Sequence, residues 1–152
     1  MQNPDDTGGQ RLKHKTALIT GASRGIGYAI AKSFASQGAN LVLSAFNQAG
    51  LKKAKAELDV YGVDVSYMAT DISSPASVDK LFAFAVERHP ELDVLVNNAG
   101  IHIAKPFTEH GMDEFDSLMK TNVYSVFQLT QHAIRHMQKL GRGKVVNVAS
   151  VA

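Results

Sequence analysis

The sequence predicts an α/β fold, a doubly wound parallel sheet with helices on both faces, and two observations carry that prediction. Short apolar runs rich in Val, Ile and Leu alternate with longer amphipathic stretches, the pattern of strands buried on both faces and joined by crossover helices. Directly after the first run, Ala17-Leu18-Ile19, comes Thr20-Gly21-Ala22-Ser23-Arg24-Gly25-Ile26-Gly27, a glycine-rich turn between a strand and a helix. The 152 residues are 45% hydrophobic and 20% charged. That profile is one globular domain, large enough to bury roughly 70% of the unfolded chain's surface.

Residues 1–13 are polar and glycine-rich and read as a disordered tail; residues 14–152 read as the domain. Strands are expected at 16–20, 40–44, 65–70, 93–97 and 144–149, each bounded by Gly, Asp or Pro signals. The first helix spans 25–37 and stops at Gly38, with Ile26, Ile30 and Phe34 on its apolar face; the second spans 49–61 and stops at Gly62. The third takes Ser74 as N-cap and Pro75 as its first residue, ending near His89 before Pro90. The fourth is long, from Met112 to about Leu140. Phe115, Leu118, Met119, Val123, Val126, Phe127, Thr130, Ile134 and Met137 recur along it at helical spacing and form its expected core face.

Several function classes are disfavoured. Sixteen basic against fourteen acidic residues are interspersed without a basic block, so nucleic acid is not indicated. The absence of cysteine removes disulfides, thiol catalysis and thiolate metal sites. No apolar run approaches the roughly 20 residues of a membrane span, and no signal peptide opens the chain, so a cytoplasmic protein is expected. His132 and His136, one turn apart, lack a third metal ligand and read as an exposed helix end or a subunit contact.

The glycine loop points to a phosphate ligand, and to a dinucleotide. Glycine admits φ > 0 and close backbone approach, and the helix that follows offers unpaired N–H donors and a partial positive charge. Gly21 turns the chain off the strand, Gly25 lets a pyrophosphate approach, and Gly27 lets the helix pack closely. The spacing lacks a Walker lysine, which disfavours ATP-type chemistry. In such a sheet the ligand crevice lies at the carboxyl ends of the strands. There stand the loop, Ala45-Phe46-Asn47, Asp71-Ile72, Asn97-Asn98-Ala99-Gly100 and Ser150. Asp71 either contacts ligand or caps the turn before the third helix. Asn97 ties neighbouring segments together, Asn98, Ala99 and Gly100 let backbone approach a ribose, and Asn122 is a mid-helix amide that needs partners. His102 and His110 follow the Asn-Asn-Ala-Gly turn on the expected substrate side.

In order and spacing these segments resemble the short-chain dehydrogenase/reductase family, from Lys15 to the end of the chain. Thr20 to Gly27 is similar to its cofactor loop, with Ser23, Arg24 and Ile26 among the contacts. Asp71, beside Ile72, is similar to its adenine-contacting acid, Asn97-Asn98-Ala99-Gly100 to its strand-four signature, Asn122 of Lys120-Thr121-Asn122-Val123 to its active-site asparagine, and Ser150 to its catalytic serine. The resemblance implies a Rossmann-like fold of which five of seven strands are present here. It also implies NAD(P)-dependent hydride transfer between nicotinamide and a small alcohol or carbonyl substrate, in a homo-oligomer. The family's Tyr-x-x-x-Lys pair follows the serine by about a dozen residues, and the chain stops at Ala152. The string Tyr28-Ala29-Ile30-Ala31-Lys32 lies in the first helix, on a stripe expected to be solvated, and is a decoy. With no such pair the 152 residues are expected to be inactive alone, either as part of a longer enzyme or as an inactive dinucleotide-binding module completed by a partner chain. Ser44-Ala45-Phe46-Asn47, after the second strand, lacks the acid that selects NAD, and Arg24 suits a 2′-phosphate, so NADP is favoured over NAD.

Overall fold

The computed structural model of the chain describes residues 10–150. Strands β1 (Thr16–Thr20), β2 (Asn40–Ala45), β3 (Val65–Ala69), β4 (Val94–Asn97) and β5 (Lys144–Asn147) form a parallel sheet in the order β3-β2-β1-β4-β5. The chain winds outward from β1 through β2 to β3, then returns to place β4 against the other side of β1. That reversal separates the loops leaving β1 and β4, and it opens a crevice at their carboxyl ends.

Helices α1 (Gly25–Ser36) and α2 (Gln48–Leu58) cover one face; α3 (Pro75–Arg88) and α5 (Ser125–Leu140) cover the other. Alternation along β1 divides the core. Ala17 and Ile19 pack with Ala31, Ala35, Leu51 and Leu58, whereas Leu18 packs with Leu81, Ala85, Leu129 and Ala133. Because both faces are apolar, the strands read as continuous apolar runs. Their limits differ from expectation by one or two residues: β2 runs on to Ala45, β3 stops at Ala69, β4 starts at Val94 and β5 stops at Asn147.

Three expectations are corrected. Residues 10–13 are not part of a disordered tail: Leu12 N–H donates to Gln37 O at 2.9 Å, and its side chain packs on the core. Residues 1–9 lie outside the described residues. On α1 the buried row is Gly27, Ala31 and Ala35, while Ile26 is 64% exposed and Ile30 and Phe34 are half-buried. Small residues every fourth position let this helix lie close against the sheet.

The third correction concerns the long helix. It consists of α4 (Met112–Met119), a π turn at Lys120–Tyr124, and α5. Its buried row is Thr121, Ser125, Leu129, Ala133 and Met137; Phe115, Val123, Phe127 and Ile134, expected in the core, are exposed. A π turn holds more residues per turn than an α-helix, so the apolar pattern read at 3.6 residues loses phase as it crosses residues 120–124.

The amino ends of the strands are joined through Asp93. Its carboxylate accepts from Thr16 N–H at 3.1 Å, Lys15 Nζ at 3.2 Å and Arg142 Nε at 2.9 Å. Burial pushes the carboxyl up, but the bonds from Arg142, Thr16 and Lys15 outweigh that and hold it below the ordinary aspartate value. A depressed folded value stabilises the protein above the unfolded pKa, and that stability is lost as pH falls through the folded one. Asp93→Ala is expected to cost about 1–3 kcal/mol at neutral pH, the range for a charged hydrogen-bonding group. In urea titrations the gap to wild type should shrink as pH is lowered below 4; a gap that does not change with pH contradicts this account.

Candidate active site

The carboxyl rim is held together by Thr20 and Asn98. Thr20 Oγ1 accepts from Asn98 N–H and Ala99 N–H, both at 3.0 Å, and donates to Val96 O at 3.4 Å. In return Asn98 Nδ2 donates to Thr20 O at 2.9 Å and Gly21 O at 3.3 Å. The turn after β4 is thereby fastened to the glycine loop after β1. Two of the loop's glycines are needed for this closeness. A Cβ on Gly21 would stand 2.8 Å from Asn98 Nδ2, and one on Gly27 would stand 2.4 Å from both that atom and Gly21 O. Gly25 differs: it takes φ +59°, and a Cβ there would meet nothing within 4 Å. It borders open space.

That space is a cavity of about 760 Å³ lined by Gly21, Ser23, Arg24, Gly25, Ile26, Asp71, Ile72, Asn98, Ala99 and Gly100, among others. Gly27, buried behind the loop, is absent from this lining. Asp71 lines the cavity, and its Oδ1 caps the turn before α3 by accepting from Ser73 N–H at 3.0 Å and Ser73 Oγ at 2.7 Å. Phe46 and Asn47, expected at the crevice from their place after β2, also line the cavity; Thr70, just after β3, and Gly50, inside α2, line it too and were not foreseen. For Thr70 the place after a strand end was the available signal. Asn47 Oδ1 caps α2 by accepting from Gly50 N–H at 3.1 Å, and Ser74 Oγ caps α3 by accepting from Ser77 N–H at 3.4 Å. At α1, by contrast, Arg24 makes no side-chain cap bond. The N–H groups at the start of α1 are thus left without a side-chain acceptor, beside the cavity.

A second cavity, of about 580 Å³, shares Asn98, Ala99 and Gly100 with the first and adds His102, Asn122, Val126 and Ser150. Asn122 lies in the π turn and is exposed, not buried as its mid-helix position suggested. Its amide is nonetheless engaged at both ends, with Oδ1 accepting from Ile101 N–H and Nδ2 donating to Ile101 O, each at 2.9 Å. Asn97 ties elements together as expected: Nδ2 donates to Asn147 Oδ1 at 2.8 Å and Thr130 Oγ1 at 3.0 Å.

The remaining candidates fall outside both cavities. Tyr28, expected on a solvated stripe, is half-buried, and its hydroxyl donates to the Glu57 carboxylate; that bond and partial burial push the phenol up to about 12. His110 lies 3.8 Å from Glu114, which also pairs with Lys105. His132 and His136 do not form an exposed helix end. His132 Nε2 is 2.8 Å from Asp79 and its ring stacks on Phe82, with His136 edge-on to the same ring, so both belong to the seam between α3 and α5.

Comparison with known proteins gives the same picture. A family model described as short chain dehydrogenase matches residues 15–152. Gluconate 5-dehydrogenase of Gluconobacter oxydans (strain 621H) is 41% identical over 141 residues, covering 92% of this chain and 55% of that protein. D-beta-hydroxybutyrate dehydrogenase of Cupriavidus necator is 35% identical over 139 residues, covering 91% and 54%. The chain thus spans about half the length of the curated relatives it matches. Among solved structures, a 7 alpha-hydroxysteroid dehydrogenase complexed with NADH and 7-oxo glycochenodeoxycholic acid matches with TM-score 0.90 and 36% identity, covering 99% of this chain and 57% of that one. A metagenomic short-chain oxidoreductase in complex with NADP matches with TM-score 0.88 and 32% identity, covering 93% and 64%. A doubly wound sheet, a glycine loop fastened to the turn after β4, and a family match from Lys15 onward converge on one assignment. The chain belongs to the short chain dehydrogenase family.

Proposed function

We propose that the protein is an NAD(P)-dependent oxidoreductase acting on an alcohol or carbonyl substrate, and that residues 14–152 supply its dinucleotide site and the serine side of its reaction centre. The observation that carries this reading is the uncapped amino end of α1, set beside a cavity with Gly25 at its border, while α2 and α3 are each capped by their own side chains. Unpaired N–H groups and the positive end of a helix suit a pyrophosphate. Gly21, Ser23, Arg24, Gly25, Ile26 and Gly27 would form that cradle, Asp71 and Ile72 the adenine end, and Asn98, Ala99 and Gly100 the ribose wall. Solved relatives complexed with NADH and with NADP support it. The nicotinamide, when bound, supplies or accepts the hydride.

Ser150 Oγ would donate a hydrogen bond to the substrate oxygen. Asn122, fixed on the Ile101 backbone, would hold one wall of the reaction centre and a water for proton relay. A general acid/base is the missing part. The one Tyr-x-x-x-Lys string in these 152 residues is Tyr28 to Lys32, and Glu57 drives that phenol up, opposite to what a base at neutral pH requires. The chain alone is therefore inactive. Exposed Phe115 and Phe127 support a homo-oligomer, and the absence of a membrane-length helix among the described residues is in keeping with a cytoplasmic protein. A second reading, an inactive dinucleotide-binding module completed by a partner chain, is favoured by β5, which stands at the edge of the sheet with Val146 exposed.

NADP is the preferred dinucleotide in this reading. Ser44, Ala45, Phe46 and Asn47 present no acid to repel a 2′-phosphate, and Arg24 borders the same cavity. In calorimetric titrations the chain should bind NADP about ten-fold more tightly than NAD, and Arg24→Ala should remove most of that difference, the expected size of one charge-assisted contact. Tighter NAD binding would overturn the preference, and no binding of either would overturn the reading itself.

In carbonyl-reduction assays the 152-residue chain should show no turnover above background. Turnover that Ser150→Ala abolishes would refute the claim of inactivity.

A further inference from the structure

Beyond the dinucleotide site, the geometry points to His102 as the residue that selects the substrate, by receiving a carboxylate in the second cavity. This rests on the oxidoreductase reading above and assigns that enzyme a substrate class, hydroxy- or oxo-carboxylates. The first ground is the cavity's lining. Asn97, Asn98, Asn122, Asn147 and Ser150 are neutral, the rest of the lining is apolar or glycine, and His102 is its one ionisable side chain. The second ground is the contrast with the other histidines. His89 lies beside Asp64, His110 beside Glu114, His132 beside Asp79, and His136 against Phe82, while His14, on the turn before β1, has no such partner but lies outside the cavity. His102 makes no hydrogen bond or ion pair to another described residue, so its ring N–H groups are not already spent on a carboxylate of the protein. The third is its place. One residue before it, the Ile101 backbone is gripped by both polar atoms of the Asn122 amide, which anchors the base of His102 in a cavity that Ser150 also lines. An anion entering a cavity without fixed negative charge, and with one imidazole that can carry a proton, gains a charge-assisted hydrogen bond that an uncharged analogue cannot make. Discrimination then arises at a point away from the reacting carbon, as substrate specificity requires.

The matched probes are 4-hydroxypentanoate and pentane-1,4-diol, which share the secondary alcohol and differ in the carboxylate. Titrated into the chain with dinucleotide present, the acid should shift the His102 imidazole NMR signals and bind about ten-fold more tightly than the diol, as expected for one charge-assisted bond. His102→Asn should bind the dinucleotide as wild type does and lose the preference for the acid, while His102→Lys should keep it. Equal binding of acid and diol by wild type, or an unchanged preference in His102→Asn, overturns the inference and leaves the oxidoreductase reading standing. Failure of the wild-type chain to bind dinucleotide overturns that reading, and the inference falls with it.

Discussion

The rim of this fold depends on one reciprocal clasp. A threonine at the end of the central strand accepts two backbone N–H groups from the turn after β4, and the asparagine of that turn donates back to the threonine and glycine carbonyls. Neighbouring parallel strands fix register along their length, yet they do not fix what the chain does after the last ladder bond. The two loops flanking the crevice would otherwise move independently. With five polar bonds converging on Thr20 and Asn98, the glycine loop, Ala99 and Gly100 form one rigid lip, and the amino end of α1 is aimed from it. Gly21 and Gly27 are consequences of this closeness, because any side chain there would occupy the space taken by the Asn98 amide. Gly25 has a different reason, a left-handed φ bordering open space.

A second constraint operates where α4 becomes α5. The π turn widens the helix at Asn122, and the widened turn presents an amide whose two ends match the N–H and C=O of Ile101. The two bonds are geometrically coupled, so the amide holds the loop backbone in one orientation. The distortion therefore fixes the segment from Gly100 to His102 between the two cavities. It also turns the helix so that Thr121, Ser125, Leu129, Ala133 and Met137 meet the sheet and α3.

These two constraints mark where the sequence could be read and where it could not. Strands buried on both faces are legible because nothing but apolar run and turn signal is needed to find them, and all five fall within one or two residues of their expected limits. The glycine loop and the rim segments were legible because backbone freedom and unpaired donors have a compositional signature. The helix faces were not. Large apolar residues were expected in the buried row of both α1 and the long helix, whereas the row against the sheet is Gly27, Ala31 and Ala35 in α1 and mixes small residues with Leu129 and Met137 in the long helix, where Met137 alone was foreseen. A tightly covered sheet selects small residues for contact, and Ile26 and Phe127 are displaced to the outside by that choice. The Asn98 clasp was missed for a related reason: its side chain bonds to backbone atoms far away in sequence, and such bonds leave no periodicity.

The two ends of the sheet divide their labour by charge. At the amino ends, charges are paired for stability: Asp93 with Lys15 and Arg142, and Arg142 again with Glu91. Burying such groups is favourable only because each finds an opposite charge or a donor. At the carboxyl ends the polar groups are mostly hydroxyls and amides bonded to backbone or to one another, and the ionisable side chains lining the two cavities, Arg24, Asp71 and His102, form no ion pair among the described residues. Asp71 is engaged by Ser73 hydrogen bonds and not by a cation. A fold that neutralises its charges at one end and leaves them open at the other has assigned ligand recognition to the open end. The difference does not track packing, because β1 is buried from end to end and β4 from Leu95 to Asn97. It follows from the direction of the strands: only at their carboxyl ends do the following helices present amino termini, and only there does an uncompensated positive field await an anion.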